Sequence, residues 1–327
     1  MMRQGKQSSS HRGWLAHLWH EWFFELRRPI APAAARPRPN EWPNDRLIAA
    51  WLGHSTVLLN FYGVTILTDP VLFPRIGIRL PFSTIGPKRL TKPALTVREL
   101  PPIDLILLSH AHFDHLDTRT LHRFGRRTQV MTASRTSDLL RWMRMRDVTE
   151  MAWGEKRTVE APRGDLVVRA FRVRHWGARL RYDNYRGYNG YVIEREGRRI
   201  VFAGDTALTN DFETLRDGRP FDLAIIGIGA YQPWIHSHCT PEQAIAMADA
   251  AGARHIMPVH HQTFKLSFEP FREPIERFTG ALQNESERIA LREIGETFVL
   301  PEGRAAARPE CDLDPETGRV EPRTSGS

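Results

Sequence analysis

"SHAHFDHLD" (residues 109–117) places three histidines and two aspartates in nine positions, directly after the apolar run "IDLILL" (residues 103–108). A short apolar run of that kind reads as a buried strand. A core does not tolerate unpaired titratable side chains, and a solvated loop has no use for them. Their concentration at a strand end therefore calls for a ligand. His110, His112, Asp114 and His115 form the pattern H-x-H-x-D-H. Neutral imidazoles and carboxylates bind first-row divalent metals, and the mixture suits zinc or a similarly borderline ion. In a tight loop, His110 and His112 can face one side while Asp114 and His115 face another, so one loop can begin two adjacent sites. It cannot complete them, because each ion needs at least three ligands and an open position for water.

Three further strand ends offer the missing ligands. His175 closes "FRVRH", Asp205 closes "RIVFAGD" and His260 closes "HIMPVH". Each sits just past an apolar strand, where the backbone is rigid and side chains emerge at a sheet edge. A lone histidine is more often structural than a ligand, but four such strand ends with one loop carrying four ligand types reverse that expectation. Asp69, in "TDP", has two open readings. It holds a ligand histidine by its distal N–H, or it is a turn residue before Pro70.

The whole chain has 327 residues, nine tryptophans, two cysteines and a net charge of +8 carried mostly by arginine. At roughly 150 residues per domain, that length allows two domains or one large α/β unit. Cys239 and Cys311 alone exclude a disulfide framework or a Cys-rich zinc site, and such usage fits a reducing cytoplasm, the expected location. A basic surface attracts phosphorylated metabolites, anionic lipid or nucleic acid; charge alone does not choose among them. No apolar run of about 18 residues is present, so no transmembrane helix is expected.

"WLAHLWHEWFFEL" (residues 14–26) puts Trp14, Leu15, Leu18, Trp19, Trp22, Phe23 and Leu26 on one stripe at helical spacing. Two readings stay open for it: a helix packed on its own domain, or an interfacial helix that holds the protein peripherally at the inner membrane. A Pro/Ala/Arg linker follows. Residues 1–45 are thus expected to be an aromatic amphipathic helix and linker, 46–300 the body, and 301–327 a polar, disordered tail. Within the body, "LIAAWLG", "STVLLNFYG" and "VTILTDP" read as hairpin strands. The Pro-containing stretch that follows, residues 79–102, reads as a surface loop. "TRTLHRFGRR" and "SRTSDLLRWMRMR" read as helices, and "HIMPVHH" as the last clear strand. Strands followed by helices in two successive runs imply a layered α/β fold.

"SHAHFDHLD", His175, "FAGDT" and "PVHHQTF" together resemble the metallo-β-lactamase superfamily, over about residues 46–300. The resemblance implies an αββα four-layer sandwich with the metals at one sheet edge. It implies two Zn2+, or another divalent first-row metal. His110, His112 and His175 would hold one ion, Asp114, His115 and His260 the other, with Asp205 bridging. Two ions about 3.5–4 Å apart lower the pKa of a bound water from 15.7 towards 7, so a shared hydroxide is the expected nucleophile, with Asp114 and Asp205 as catalytic carboxylates orienting it.

"WLGHSTVLL", "LTDPVL", "RHW" and "IGIGAYQPWIHSHCTPEQA" further resemble the branch containing N-acylphosphatidylethanolamine-hydrolysing phospholipase D. On that match His238 is a catalytic residue near the substrate head group; the other reading is a surface-loop or cap histidine. His54, in "LGHST", is expected either behind the ligands or against the substrate. His261 and Gln262 stand where the branch carries Trp-Gly, which leaves substrate identity open. The expected function is a dinuclear zinc phosphodiesterase acting on N-acylphosphatidylethanolamine-like phospholipids. The alternatives are a hydrolase of a small soluble phosphodiester, ester or phosphorylated lactone, as in L-ascorbate phosphate lactonases, and a non-catalytic metal-binding regulator. Expected partners are a phospholipid or small phosphorylated substrate and a second copy in a homodimer. No nucleic acid is expected, since no clamping insertion is visible.

Overall fold

The computed structural model describes residues 27–80 and 84–301; the expected helix at residues 14–26 and the tail at 302–327 lie outside them. The body opens with three antiparallel strands, β1 (Leu47–Gly53), β2 (Thr56–Phe61) and β3 (Val64–Thr68). Tyr62 and Gly63 turn β2 into β3 at φ +52° and +87°, the two-residue geometry that matches the twist of paired strands. A small separate hairpin follows, β4 (Ile78–Arg79) with β5 (Thr84–Ile85). Then come β6 (Leu105–Leu108), α1 (Thr118–Leu121), β7 (Gln129–Ala133), α2 (Ser137–Trp142) and β8 (Val148–Met151). Strands β6, β7 and β8 add in parallel onto β3.

The second run comprises β9 (Lys156–Val159), β10 (Leu166–Phe171), β11 (Gly190–Arg195), β12 (Arg198–Phe202), β13 (Phe221–Gly227), α3 (Pro241–Ala251), β14 (Ala253–Val259) and α4 (Glu273–Ala281). A last strand, β15 (Thr297–Val299), returns to pair with β1. One sheet runs β15-β1-β2-β3-β6-β7-β8 and the other β14-β13-β12-β11-β10-β9.

Side-chain alternation explains the layers. On β6, Leu105 and Leu107 join Trp51, Tyr191, Phe202 and Ile225 in the core between the sheets. Ile106 and Leu108 point the other way, beneath Leu121 of α1 and Leu140 of α2. On the second sheet, Val201, Ala224 and Ile226 face Met247 of α3 and Phe278 of α4. A strand buried on both faces reads as a continuous apolar run, because its period-2 alternation is hidden. This is the expected αββα sandwich.

Local expectations fared unevenly. The helix read through "TRTLHRFGRR" stops at Leu121 after one turn; Gly125 and the like charges of Arg123 and Arg127, four residues apart, support it poorly. The stretch read as a surface loop carries Arg89, whose side chain is fully buried and donates to the carbonyls of Val71, Phe73 and Thr91. Residues 28–45 lie along the body: Ala31 N–H donates to Leu90 O, Ala35 N–H to Ile294 O, and Ala33 and Trp42 pack on the central core. Among the described residues, no helix is long and apolar enough to cross a membrane.

Candidate metal centre

The polar loops after β3, β6, β12 and β14, and the segment beyond β10, meet at one edge of the sandwich. Short backbone bonds fix them. Asp69 N–H donates to Leu107 O (2.9 Å), His260 N–H to His54 O (3.1 Å) and Asn189 N–H to Ser109 O (2.9 Å). His54, Asp69, His260 and Gln262 all have positive φ, an uncommon state for non-glycine residues that persists where the surroundings enforce it. Gly204 permits the approach of the Asp205 loop, since a Cβ there would stand 2.6 Å from Ser109 Cβ.

Every ligand expected from the sequence reaches this edge. Ligand atoms of His110, His112 and His175 lie within 4.8 Å of one another, as do those of Asp114, His115 and His260, which His54 joins. In the first group, His110 Nε2 is 2.8 Å and His175 Nε2 3.3 Å from His112 Nδ1. Asp205 lies between the groups. Its Oδ2 is 4.0 and 3.8 Å from His110 and His175 Nε2, and 3.0 and 3.1 Å from His115 and His260 Nε2. Asp114 Oδ2 is 3.7 Å from His115 Nε2, 3.6 Å from His260 Nε2 and 3.0 Å from His54 Nε2. His238 Nδ1 stands 3.9 Å from Asp205 Oδ2.

Outer partners set the tautomers. His175 Nδ1 must donate to the Ser237 carbonyl (2.8 Å), which leaves the lone pair on Nε2 facing inward. Ser109 Oγ–H donates to Asp69 Oδ2 (2.5 Å), so it accepts from His110 Nδ1–H (2.8 Å), and His110 Nε2 also presents a lone pair. His115 Nδ1–H donates to Asp69 Oδ2 (2.6 Å). His110 and His175 thus turn lone pairs towards the centre, and His115, tied outward through Nδ1, presents Nε2 to it, the arrangement that orients metal-bound histidines. Ser109 is the residue that sequence reasoning passed over; its place between Asp69 and the first ligand histidine was the available signal.

The donor set fits divalent first-row ions. Buried atoms at the centre also lack hydrogen bonds: Nε2 of His115, both ring nitrogens of His260 and Oδ1 of Asp205. A cation bound between them would satisfy these atoms. Burial drives the pKa of His110 and His175 well below the usual histidine value and that of His112 down to about 4. At His115 and His260 burial acts the same way, but the nearby carboxylates, led by Asp205, prevail. His115 is held well above its usual value and His260 is raised to about 9. Burial opposes ionisation of Asp114 and Asp205, yet the His115 charge beside both and the His260 charge beside Asp205 keep them well below the carboxylate range.

Other residues fall outside the ligand groups. His261 is buried with its ring 4.5 Å from that of Trp51, and His255 Nδ1 meets the Asp222 carbonyl at 3.0 Å. Tyr188 lies 6.5 Å, ring to ring, from His175, whereas Tyr231 donates to Glu273. Trp176, partly exposed, packs against His112 and His175.

The beta-lactamase superfamily domain profile matches residues 65–261. An uncharacterised protein of Mycobacterium tuberculosis is 34% identical over 275 residues, covering 81% of this chain and 72% of its own. The N-acyl-phosphatidylethanolamine-hydrolyzing phospholipase D 1 of Caenorhabditis elegans is 33% identical over 244 residues, covering 70% of this chain and 67% of its own. Among solved structures, the metallo hydrolase Igni18 of Ignicoccus hospitalis superposes with a TM-score of 0.60 at 19% identity, covering 79% of this chain and 99% of its own; it shares the fold.

Proposed function

Because this chain belongs to the metallo-β-lactamase superfamily and is a metal-dependent hydrolase of that family, we propose that it cleaves the phosphodiester of an N-acylated ethanolamine phospholipid with two zinc ions. The observation that carries the reading is Asp205 Oδ2 standing between two groups of ligand atoms. The likeness to the worm phospholipase supports the substrate class. So does a cavity of about 380 Å³ whose lining includes His260, Leu90, Phe264, Leu266, Phe268 and Phe271. Apolar walls with a few polar groups suit an acyl-bearing ligand.

His110, His112 and His175 would hold one ion and Asp114, His115 and His260 the other, with Asp205 shared. Such ions supply Lewis-acid polarisation of the phosphoryl oxygen and make water acidic enough to attack at neutral pH. The chain's own groups do the rest. Asp114 and Asp205, ionised at neutral pH, accept the proton of the attacking water and aim its oxygen at phosphorus. The bond from phosphorus to the ethanolamine oxygen then breaks, and that oxygen takes up a proton. His238 is nearly buried, and burial lowers its pKa to about 4. It is therefore neutral at pH 7 and able to donate a ring N–H to a phosphoryl or leaving oxygen. The products are phosphatidic acid and an N-acylethanolamine.

The test is incubation of metal-loaded protein with that lipid in mixed micelles, beside bis(p-nitrophenyl) phosphate. Release of N-acylethanolamine is the expected result. Hydrolysis of the soluble ester alone would discard the lipid and keep the phosphodiesterase.

A further inference from the structure

Several arginines of this chain pair with carboxylates. Arg199, Arg219, Arg272, Arg277 and Arg288 each lie within 3 Å of a carboxylate. Two clefts gather arginines. One, of about 690 Å³, is lined by Arg75, Arg79, Arg119 and Arg123 around Phe73. The other, of about 480 Å³, is lined by Arg126, Arg141, Arg144 and Arg146. No carboxylate lines either cleft. Among the described residues, Arg79, Arg123, Arg126, Arg141, Arg144 and Arg146 have no acidic partner within ion-pair distance. Arg123 of the first cleft and Arg126 of the second are three positions apart, which holds their Cα atoms within about 10 Å of each other. An uncompensated strip of one sign repels itself and is relieved by a polyanion.

Apolar side chains decide which polyanion. Trp142, between Arg141 and Met143 at the end of α2, is 81% exposed; Ile78 and Leu80, on either side of Arg79, are 53% and 41% exposed, and Ile85 is 53% exposed. Nucleic acid buries aliphatic side chains only at thymine methyls or where base steps are unstacked. A lipid headgroup boundary buries such side chains, and it also favours tryptophan. The strip adjoins the metal centre: Arg119 is two residues past Asp117, the last residue of the metal loop, and Phe73 is four past Asp69.

We propose that the arginine strip running from Arg75 and Arg79 through Arg119 and Arg123 to Arg144 and Arg146 docks on an anionic lipid bilayer, with Trp142, Ile78 and Ile85 entering its headgroup boundary. A soluble substrate would leave this proposal standing, because docking is read without turnover. Full-length, metal-loaded protein is sedimented with phosphatidylcholine vesicles, with and without phosphatidylglycerol, at low and high salt. Binding is expected only with phosphatidylglycerol and is expected to fall with salt. Arg79→Glu, Arg123→Glu and Arg144→Glu should each weaken it at least about fivefold, and Trp142→Ser should weaken it without changing its salt dependence. Thermal melting verifies folding, and the matching Arg→Gln variants replace any that melts early. Equal binding to neutral vesicles overturns the proposal. So does undiminished binding by the arginine variants, which would move the contact to residues 1–26. Retention of an RNA oligonucleotide with no vesicle binding overturns it in favour of nucleic acid.

Discussion

Asp69 accepts a 2.6 Å hydrogen bond from Nδ1 of His115, 46 residues further along the chain. Both side chains are fully buried. The same carboxylate takes the backbone N–H and the hydroxyl of Ser109, whose oxygen supports His110. One carboxylate therefore orients a histidine in each ligand group.

Asp69→Asn, with one acceptor oxygen for three donors, should weaken both ions by about 10- to 100-fold. Ser109→Ala should weaken only the ion held by His110, His112 and His175. Stepwise metal titration by calorimetry separates the two. Equal losses at both ions in Ser109→Ala would disprove the relay through Ser109.

The two groups should differ in pH dependence. In the metal-free protein His115 is held well above its usual value and His260 is raised to about 9 by the Asp205 and Asp114 carboxylates, against burial. An ion at that group must displace their protons, so its affinity should climb as pH rises towards about 9. The first group, with His112 at about 4 and its partners also held well below the usual histidine value by burial, should bind evenly at neutral pH. The sign for stability is opposite. A raised folded value for His260 stabilises the metal-free fold fully below 6.5, and that contribution is lost as pH rises through about 9. Proton release measured in buffers of different ionisation enthalpy checks this. Identical release at both ions would refute it.

His238→Ala should keep the full metal content while lowering kcat on bis(p-nitrophenyl) phosphate by about 10²- to 10³-fold. His112→Ala should lose an ion along with activity. Elemental analysis beside the kinetics decides, and loss of metal in His238→Ala would make it a ligand instead.

Arg89→Met should strip donors from the buried carbonyls of Val71, Phe73 and Thr91. The cost is about 3 kcal/mol, a fall in Tm of about 4–6 °C. An unchanged Tm would show that the loop after Asp69 does not depend on the guanidinium.

Much of the centre was legible because ligand residues sit at strand ends, and apolar runs mark strand ends clearly. "IDLILL" before His110 and "HIMPV" before His260 each predict a strand and an emerging polar side chain. The loop at residues 79–102 was illegible because a buried arginine that bonds only carbonyls has the composition of a solvated one. The short β15 was missed because three residues carry no measurable period.

The sequence by itself determined the layered strands, the loop with four ligand-type residues and the three distant side chains able to complete it, since those depend on residue type and local periodicity. Only the tertiary structure decided that Asp205 stands between the groups, that His54 joins Asp114, that Ser109 links Asp69 to His110, and which arginines find a carboxylate. Those relations hold between segments tens to hundreds of residues apart. They are fixed by how two sheets stack, a property that no local pattern encodes.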